Sequence, residues 1–326
     1  MNKKIFNVGE VGLLNLIKKY APQGQLSDDS AYIEGFNEPL LINTDVLVES
    51  IHFNEKTLSP IDIGWKSVAV NLSDLAASGL QRFIGVTISL IVPNSTELDW
   101  VEGVYKGINL ALEKYGGEIL GGDCSRGKEK VISITAIGTL GPLRLHRGNA
   151  KAGDSLIATN AHGLSRLGLA LLNNEKFEDV EKVGKTLKEK AIESHKRPTP
   201  GIDELKVIIN CKPKGIPLRA AGTDSSDGLI SAIQGICDSS QCSALIESSK
   251  LPKRNDWPKG KHWDKWCLFG GEDFEIIISL PTIWANEIVR KLPGSFLIGE
   301  MQNGPARIEM DGEIIEIKDN SFNHFN

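Results

Sequence analysis

Two hydrophobic periods take turns along this chain. Leu40 to Val48 is an apolar, β-branched run that reads as a strand, with Thr44 and Asp45 inside it. Ser59-Pro60 then opens a helix, serine as N-cap and proline in the first turn. Its apolar residues Trp65, Val68, Ala69, Leu72, Leu75 and Ala76 recur at spacings that trace one face of a 3.6-residue helix. The other face, Ser67, Val70, Asn71, Asp74, Ala77 and Ser78, is small and nearly uncharged. A solvated face would carry Lys and Glu, so this helix is expected to be covered on both sides, with Asp74 the single acid of the second side.

The alternation continues in both directions. Val11 to Tyr20 reads as a short amphipathic helix, Phe83 to Val92 as a strand, and Glu97 to Tyr115 as a helix ended by Gly116-Gly117. Glu118 to Leu120 is a short strand running into Gly121-Gly122-Asp123, and Val131 to Leu140 alternates like a long strand. The Gly-, Pro- and Arg-containing stretch Gly141 to Asp154 is the expected boundary between a domain of residues 1–145 and one of 146–326. Beyond it the pattern predicts a strand over Ser155 to Thr159 and a helix from about Leu164. A charged helix over Glu175 to His195 and a Pro-rich loop over Lys196 to Ile216 follow. Next come a helix from about Asp227, a polar insertion over Glu247 to Trp266, and a strand over Phe274 to Leu280. Strands and helices interleave without a repeat, which predicts an α/β class with mixed sheets.

Composition narrows the partners. The formal net charge of the 326 residues is -5, and no strongly basic stretch of the kind that binds duplex or membrane surfaces dominates. The five cysteines are an odd number without the density of a disulfide framework, so reduced thiols and a cytoplasmic setting are expected. Met1 to Glu10 lacks the apolar stretch of a signal peptide, and the longest apolar run, Phe83 to Pro93, is far short of the roughly 20 residues of a membrane span.

The candidate chemistry is acidic. Gly122 to Lys128 imitates a phosphate loop, but Glu129 stands where a magnesium-binding hydroxyl belongs and a strand-like run follows. The histidines form no HExxH or paired metal spacing, Cys237 and Cys242 lack a second pair, and there is no GxSxG elbow. Trp257, Trp263 and Trp266, among Lys253, Arg254, Lys259, Lys261 and Lys265, read as an exposed loop with aromatic anchors. By contrast Asp28, Asp29, Asp45, Asp74, Asp123, Asp224, Asp227, Glu272 and Asp273 each sit beside Gly, Ser, Thr or Asn, at the end of an apolar element or on a small-residue face. Any one of them fits a helix cap or a turn, Asp227 most clearly. Together, carboxylates that converge repel unless cations bridge them, and oxygen-only ligands select Mg²⁺ bound along with phosphate oxygens. That points to a polyphosphate substrate and to catalysis by positioning and charge neutralisation, with no protein nucleophile. Helix starts near Gly163 and Ser226 would offer backbone N–H groups to phosphate, and Arg147 a fixed cation.

Read in order, these motifs resemble the thiamine-monophosphate kinases, members of the larger group that includes aminoimidazole ribonucleotide synthetase and selenophosphate synthetase. The resemblance is carried by Ser27-Asp28-Asp29-Ser30, Asn43-Thr44-Asp45, His52-Phe53, Gly64-Trp65-Lys66, Asn71-Leu72-Ser73-Asp74, Gly121-Gly122-Asp123, Arg147, Asp224-Ser225-Ser226-Asp227-Gly228 and Gly271-Glu272-Asp273-Phe274-Glu275. It implies transfer of the ATP γ-phosphoryl group to thiamine monophosphate with several Mg²⁺ ions. It further implies a homodimer formed through the N-terminal sheet and a C-terminal α/β domain closing over the nucleotide. By matching position it implies Asp29, Asn43, Thr44, Asp45, Asp74, Asp123, Asp224 and Asp227 as metal ligands. Tyr105, Gly122, Asp123, Arg147 and Ser226 would contact ATP, and His52, Glu272 and Phe322 thiamine monophosphate. Asn43, Ser27, Gly201 and Ser50 depart from the family pattern, and none of the departures removes an acid. A synthetase relative acting on another acceptor is the alternative; the absence of a Cys before Cys124 disfavours the selenophosphate enzyme.

Overall fold

The computed structural model describes residues 4–23, 35, 37–177 and 179–316. The chain divides into two compact units, Met1–Leu75 with Leu80–Gly141, and Ala76–Gly79 with Pro142–Asn326. Among the described residues no helix is long and apolar enough to cross a membrane.

The first unit comprises α1 (Ile5–Ile17), β1 (Leu40–Val48), α2 (Pro60–Ser78), β2 (Leu80–Val92), α3 (Leu98–Tyr115), β3 (Glu118–Arg126) and β4 (Val131–Leu140), the last residues of α2 belonging to the other unit. Its sheet has the order β1-β4-β2-β3, antiparallel except for the β2–β3 pair. Ser59 and Asp62 cap α2 reciprocally: the Ser59 hydroxyl donates to Asp62 Oδ2 at 2.7 Å, and the Asp62 N–H donates to Ser59 Oγ at 3.3 Å. Both faces of α2 are buried, Ser67, Val70, Asn71 and Ala77 included, as the missing Lys and Glu predict. Helices α2 and α3 meet backbone to backbone. A Cβ on Gly64 would lie 1.9 Å from the Val104 carbonyl oxygen, and one on Gly107 2.0 Å from that of Ile61. One sheet face, bearing Ile132, Ile134 and Ala136, is buried, and Leu75 of α2 reaches it at Gly138. On the opposite face β1 exposes Ile42 (62%) and Val46 (43%).

The second unit contains β5 (Asp154–Ala158), α4 (Leu164–Leu172), α5 (Lys185–Lys196), α6 (Ile202–Asn210), β6 (Ala221–Asp224), α7 (Leu229–Ser240) and β7 (Ser243–Ile246). It ends with α8 (Lys261–Phe269), β8 (Ile276–Pro281), α9 (Thr282–Lys291), β9 (Phe296–Gln302), β10 (Ile308–Met310) and β11 (Glu313–Ile314). The sheet order is β11-β10-β7-β9-β5-β8-β6, with β7–β10 the parallel pair. Leu229, Ile233 and Ile236 of α7 pack with Leu156, Ala221, Ile277, Ile298 and Met301 of the strands.

Four expectations change. The charged helix starts only at Lys185, after Gly184 as N-cap, with a single 3₁₀ turn over Val180–Lys182 before it. The Pro-rich segment holds α6, whose Asp203 and Glu204 occupy the first turn and whose Leu205 and Ile208 are buried. The short strand before Gly121-Gly122 runs on to Arg126, because β2 supplies it with a parallel partner throughout. The tryptophan-rich insertion is core rather than exposed loop. Trp257, Trp263 and Trp266 are buried against Leu167, Leu187 and Ala191 of α4 and α5, with Trp257 and Trp263 edge to face at 5.4 Å.

Candidate active site

In the first unit the sequence brings four oxygen-bearing side chains to one point. Asn43 and Asp45 are two residues apart on β1 and so share a face. Asn71 and Asp74 lie on α2, which crosses that face. Asn43 Nδ2 is 3.0 Å from Asp74 Oδ2, 3.2 Å from Asn71 Oδ1 and 3.4 Å from Asp45 Oδ2. Asn71 is held by its own Nδ2, which donates to the Ser67 carbonyl at 2.9 Å. Asn43 Oδ1 is buried and accepts no hydrogen bond among the described residues. Two carboxylates and two amide oxygens, of which Asn43 Oδ1 is the orphaned acceptor, form a donor set of the kind that suits a hard divalent cation such as Mg²⁺, although Asn43 turns its nitrogen rather than its oxygen to the acids here. Among the described residues no group of three or more His, Cys, Asp or Glu side chains is arranged to hold a metal ion by itself.

Strand register divides the other expected ligands from this point. Asp45 pairs with Ile134, Ile134 with Ile88, and Ile88 with Gly122. The next row is Val46, Ser133, Ser89 and Asp123. Asp123 therefore shares the open sheet face with Val46 and Thr44, opposite Asn43 and Asp45. The Thr44 and Thr135 hydroxyls meet there at 2.8 Å. Gly122 sits where a Cβ would come within 2.0 Å of the Ile88 carbonyl oxygen, so only glycine lets β3 pair this closely. His52 follows β1 in a turn, its Nδ1 accepting from the Val48 N–H at 3.1 Å; the ring proton of neutral His52 is then on Nε2. Tyr105 is buried in α3 beside the Tyr20 ring, and burial pushes its phenol above the usual range.

In the second unit three segments meet. Asp224 ends β6, buried, and accepts from the Ser226 hydroxyl at 3.0 Å. Arg147 Nε donates to Thr223 Oγ1, one residue before Asp224, at 2.9 Å. Asp227 is exposed in the turn before α7 and is not its cap; Gly228 is, at φ 97°. The Glu272 N–H donates to the Ser226 carbonyl at 2.6 Å, bringing the Asp224–Gly228 and Gly270–Glu275 loops together. Glu272 and Phe274 both have left-handed backbone, φ 57° and 54°.

The loop carries three features that motif reading passed over. Asp273 caps α4: its Oδ2 accepts from the Gly163 N–H at 2.7 Å and its Oδ1 from the Ser165 N–H at 3.0 Å. These N–H groups are therefore already satisfied and do not await a phosphate. Burial pushes the Asp273 carboxyl up to about 7, against the pull of those N–H groups. Burial likewise takes Glu275 up to about 8, although Thr159 Oγ1 donates to it at 2.7 Å. His195 of α5, also buried, has Nδ1 3.0 Å from Ser165 Oγ and 3.3 Å from Glu272 Oε2. In the sequence, the apolar neighbours Phe274 and Ile276 are the one hint that these acids point inward. Asp28, Asp29 and Phe322 lie outside the described residues.

Residues 27–140 match the family model described as AIR synthase related protein, N-terminal domain. The matched stretch covers the strands and helices of the first unit from β1 to β4. A Prochlorococcus marinus thiamine-monophosphate kinase is 50% identical to the chain over 98% of its residues and 97% of the relative. That of Synechococcus elongatus is 36% identical over 99% and 98%. A solved structure described as AaThiL complexed with AMPPCP and TMP superposes with a TM-score of 0.76 at 32% identity, covering all of both chains. The chain belongs to the thiamine-monophosphate kinase family.

Proposed function

We propose that this protein transfers the γ-phosphoryl group of ATP to thiamine monophosphate, yielding thiamine diphosphate and ADP. The observation that carries the reading is 50% identity to a thiamine-monophosphate kinase along nearly the whole chain. The structural neighbour of 32% identity is described with AMPPCP, an ATP analogue, and TMP bound together, which supports the same pair of substrates.

Asn43, Asp45 and Asp74 at one face of the first sheet, Thr44 and Asp123 on its other face, and Asp224 and Asp227, with Asp29, are assigned to hold Mg²⁺, the opposite faces serving different ions. When bound, the ions neutralise the charge of the phosphate oxygens. Asn43 would serve through Oδ1, its buried acceptor without a partner among the described residues, once its amide turns over from the arrangement in which Nδ2 faces the acids. Arg147, anchored by Nε at Thr223, keeps its other N–H groups for phosphate oxygens. Gly122, Tyr105 and Ser226 complete the ATP contacts. His52 offers its Nε2–H, and Glu272 and Phe322 line the thiamine side. No side chain is asked to attack phosphorus; the acceptor is the substrate's own phosphate oxygen. The exposed apolar residues Ile42 and Val46 support a homodimer through the open face of the first sheet.

The deciding experiment supplies purified protein with ATP, Mg²⁺ and one acceptor at a time. Thiamine diphosphate should form from thiamine monophosphate and depend on Mg²⁺. ATP consumption with only the amidine acceptor of the aminoimidazole ribonucleotide synthetases would refute the proposal.

A further inference from the structure

We infer that His195 is a positioning residue for Glu272, fixing the carboxylate that faces thiamine monophosphate. The inference rests on the assignment of Glu272 to that substrate. His195 lies on α5, some 77 positions before Glu272 in the chain (272 − 195), and nothing in the sequence links them. In the fold its Nδ1 stands 3.3 Å from Glu272 Oε2 and 3.0 Å from Ser165 Oγ. The imidazole is 3% exposed and the glutamate side chain 33%. A buried ring thus supports a carboxylate that is partly open to solvent.

The support forms a closed circuit. Glu272 contacts His195, His195 contacts Ser165, and the Ser165 N–H donates to Asp273, the residue after Glu272. The Glu272 N–H is tied separately to the Ser226 carbonyl. Backbone and side chain are therefore held from two sides. A glutamate has three rotatable side-chain bonds, and at a partly exposed site it would otherwise populate several rotamers. The single Nδ1 proton of His195, shared between the Ser165 hydroxyl oxygen at 3.0 Å and the carboxylate at 3.3 Å, favours one of them, and the carboxylate's charge strengthens its share. Helices α4 and α5 approach closely here: a Cβ on Gly168 would lie 2.1 Å from the Ala191 carbonyl oxygen and 2.9 Å from His195 Cβ, which fixes the base of the His195 side chain.

Steady-state kinetics on the full chain tests this with paired substitutions. Asn places an amide nitrogen near the position of Nδ1 but loses volume; Leu keeps volume and loses the donor. His195→Leu should raise KM for thiamine monophosphate about tenfold, with KM for ATP unchanged and kcat within about threefold. His195→Asn should restore most of the loss. An unchanged KM in His195→Leu, or His195→Asn weaker than His195→Leu, would overturn the inference, since the second order is that of packing. Should His195→Leu fail to fold, Ser165→Ala decides: a raised KM for thiamine monophosphate supports the circuit and an unchanged one overturns it. Glu272→Gln separates the two layers of the argument. If it leaves that KM unchanged, the substrate assignment of Glu272 fails and this inference with it; if it raises KM while His195→Leu does not, only the role of His195 fails.

Discussion

Arg219 grips Asp154 through two hydrogen bonds, Nη1 to Oδ2 and Nη2 to Oδ1, each 2.7 Å long. The same Nη1 donates to the Asn149 carbonyl at 2.7 Å, in the turn that carries Arg147. Asp154 is 3% exposed. Arg219→Ala would leave that carboxylate buried without its cation and should lower stability by about 3–5 kcal/mol, read as a fall in Tm. Arg219→Lys keeps a charge but not the planar fork. It should fold, lose less stability, and raise KM for ATP through the loosened Arg147 turn.

The Asn43 cluster predicts a metal-linked loss. Asp45→Asn and Asp74→Asn should each cut kcat about 10²–10³-fold while far-ultraviolet circular dichroism stays unchanged. Asn43→Ala should act more gently, raising the Mg²⁺ concentration needed for half-maximal rate about tenfold. Turnover near the native value in both aspartate variants would contradict the multi-metal site.

Glu275 predicts a pH dependence of stability. Its ordinary pKa is 4.5 and its folded one about 8, raised first by burial and then by the negative charge of Glu204 and Asp273. The folded chain therefore retains a proton that the unfolded chain releases. This contribution is complete below about pH 4.5, shrinks as pH rises, and is gone above about 8. Glu275→Gln stays neutral throughout. Its unfolding free energy, followed through Tm, should match the native protein's near pH 4.5 and exceed it increasingly toward pH 8, by on the order of 1–3 kcal/mol. A difference that narrows with rising pH would contradict the burial of a protonated acid.

Gly122→Ala tests the closeness of β2 and β3. Its Cβ would meet the Ile88 carbonyl at 2.0 Å, which backbone alone can relieve. The variant should lose about 1–3 kcal/mol and, with the β3 edge displaced, bind ATP more weakly by calorimetry.

Much of the fold was legible because its elements obey simple periods. Leu40–Val48 and Val131–Leu140 are strands as their branched residues predict, and Ser59-Pro60 starts α2 as its chemistry predicts. The tryptophan-rich insertion was misread because its lysines face solvent while its rings turn inward, a division that charge content alone does not reveal. Helix α6 hid between prolines that flank it, Pro198 and Pro200 before and Pro213 after, rather than interrupt it. At the site, Asn43, Asp45 and Asp74 were legible as acids and amides on small-residue faces. Their separation from Thr44 and Asp123 was not, since the face a strand residue occupies depends on register across four strands. His195 was illegible for a related reason: its partners come from other elements, and only tertiary packing supplies them.

Glu272 and Asp273 are chain neighbours with opposite tasks, one partly open to solvent and one sealed under α4. Left-handed backbone at Glu272 and Phe274 turns them apart. The division of labour is thus kept by counting: a single residue inserted or deleted between Gly271 and Glu275 would put each acid in the other's seat. Evolution could exchange side chains in this stretch one at a time, but it could not change the stretch's length without re-founding both the start of α4 and the contact of Glu272 with His195.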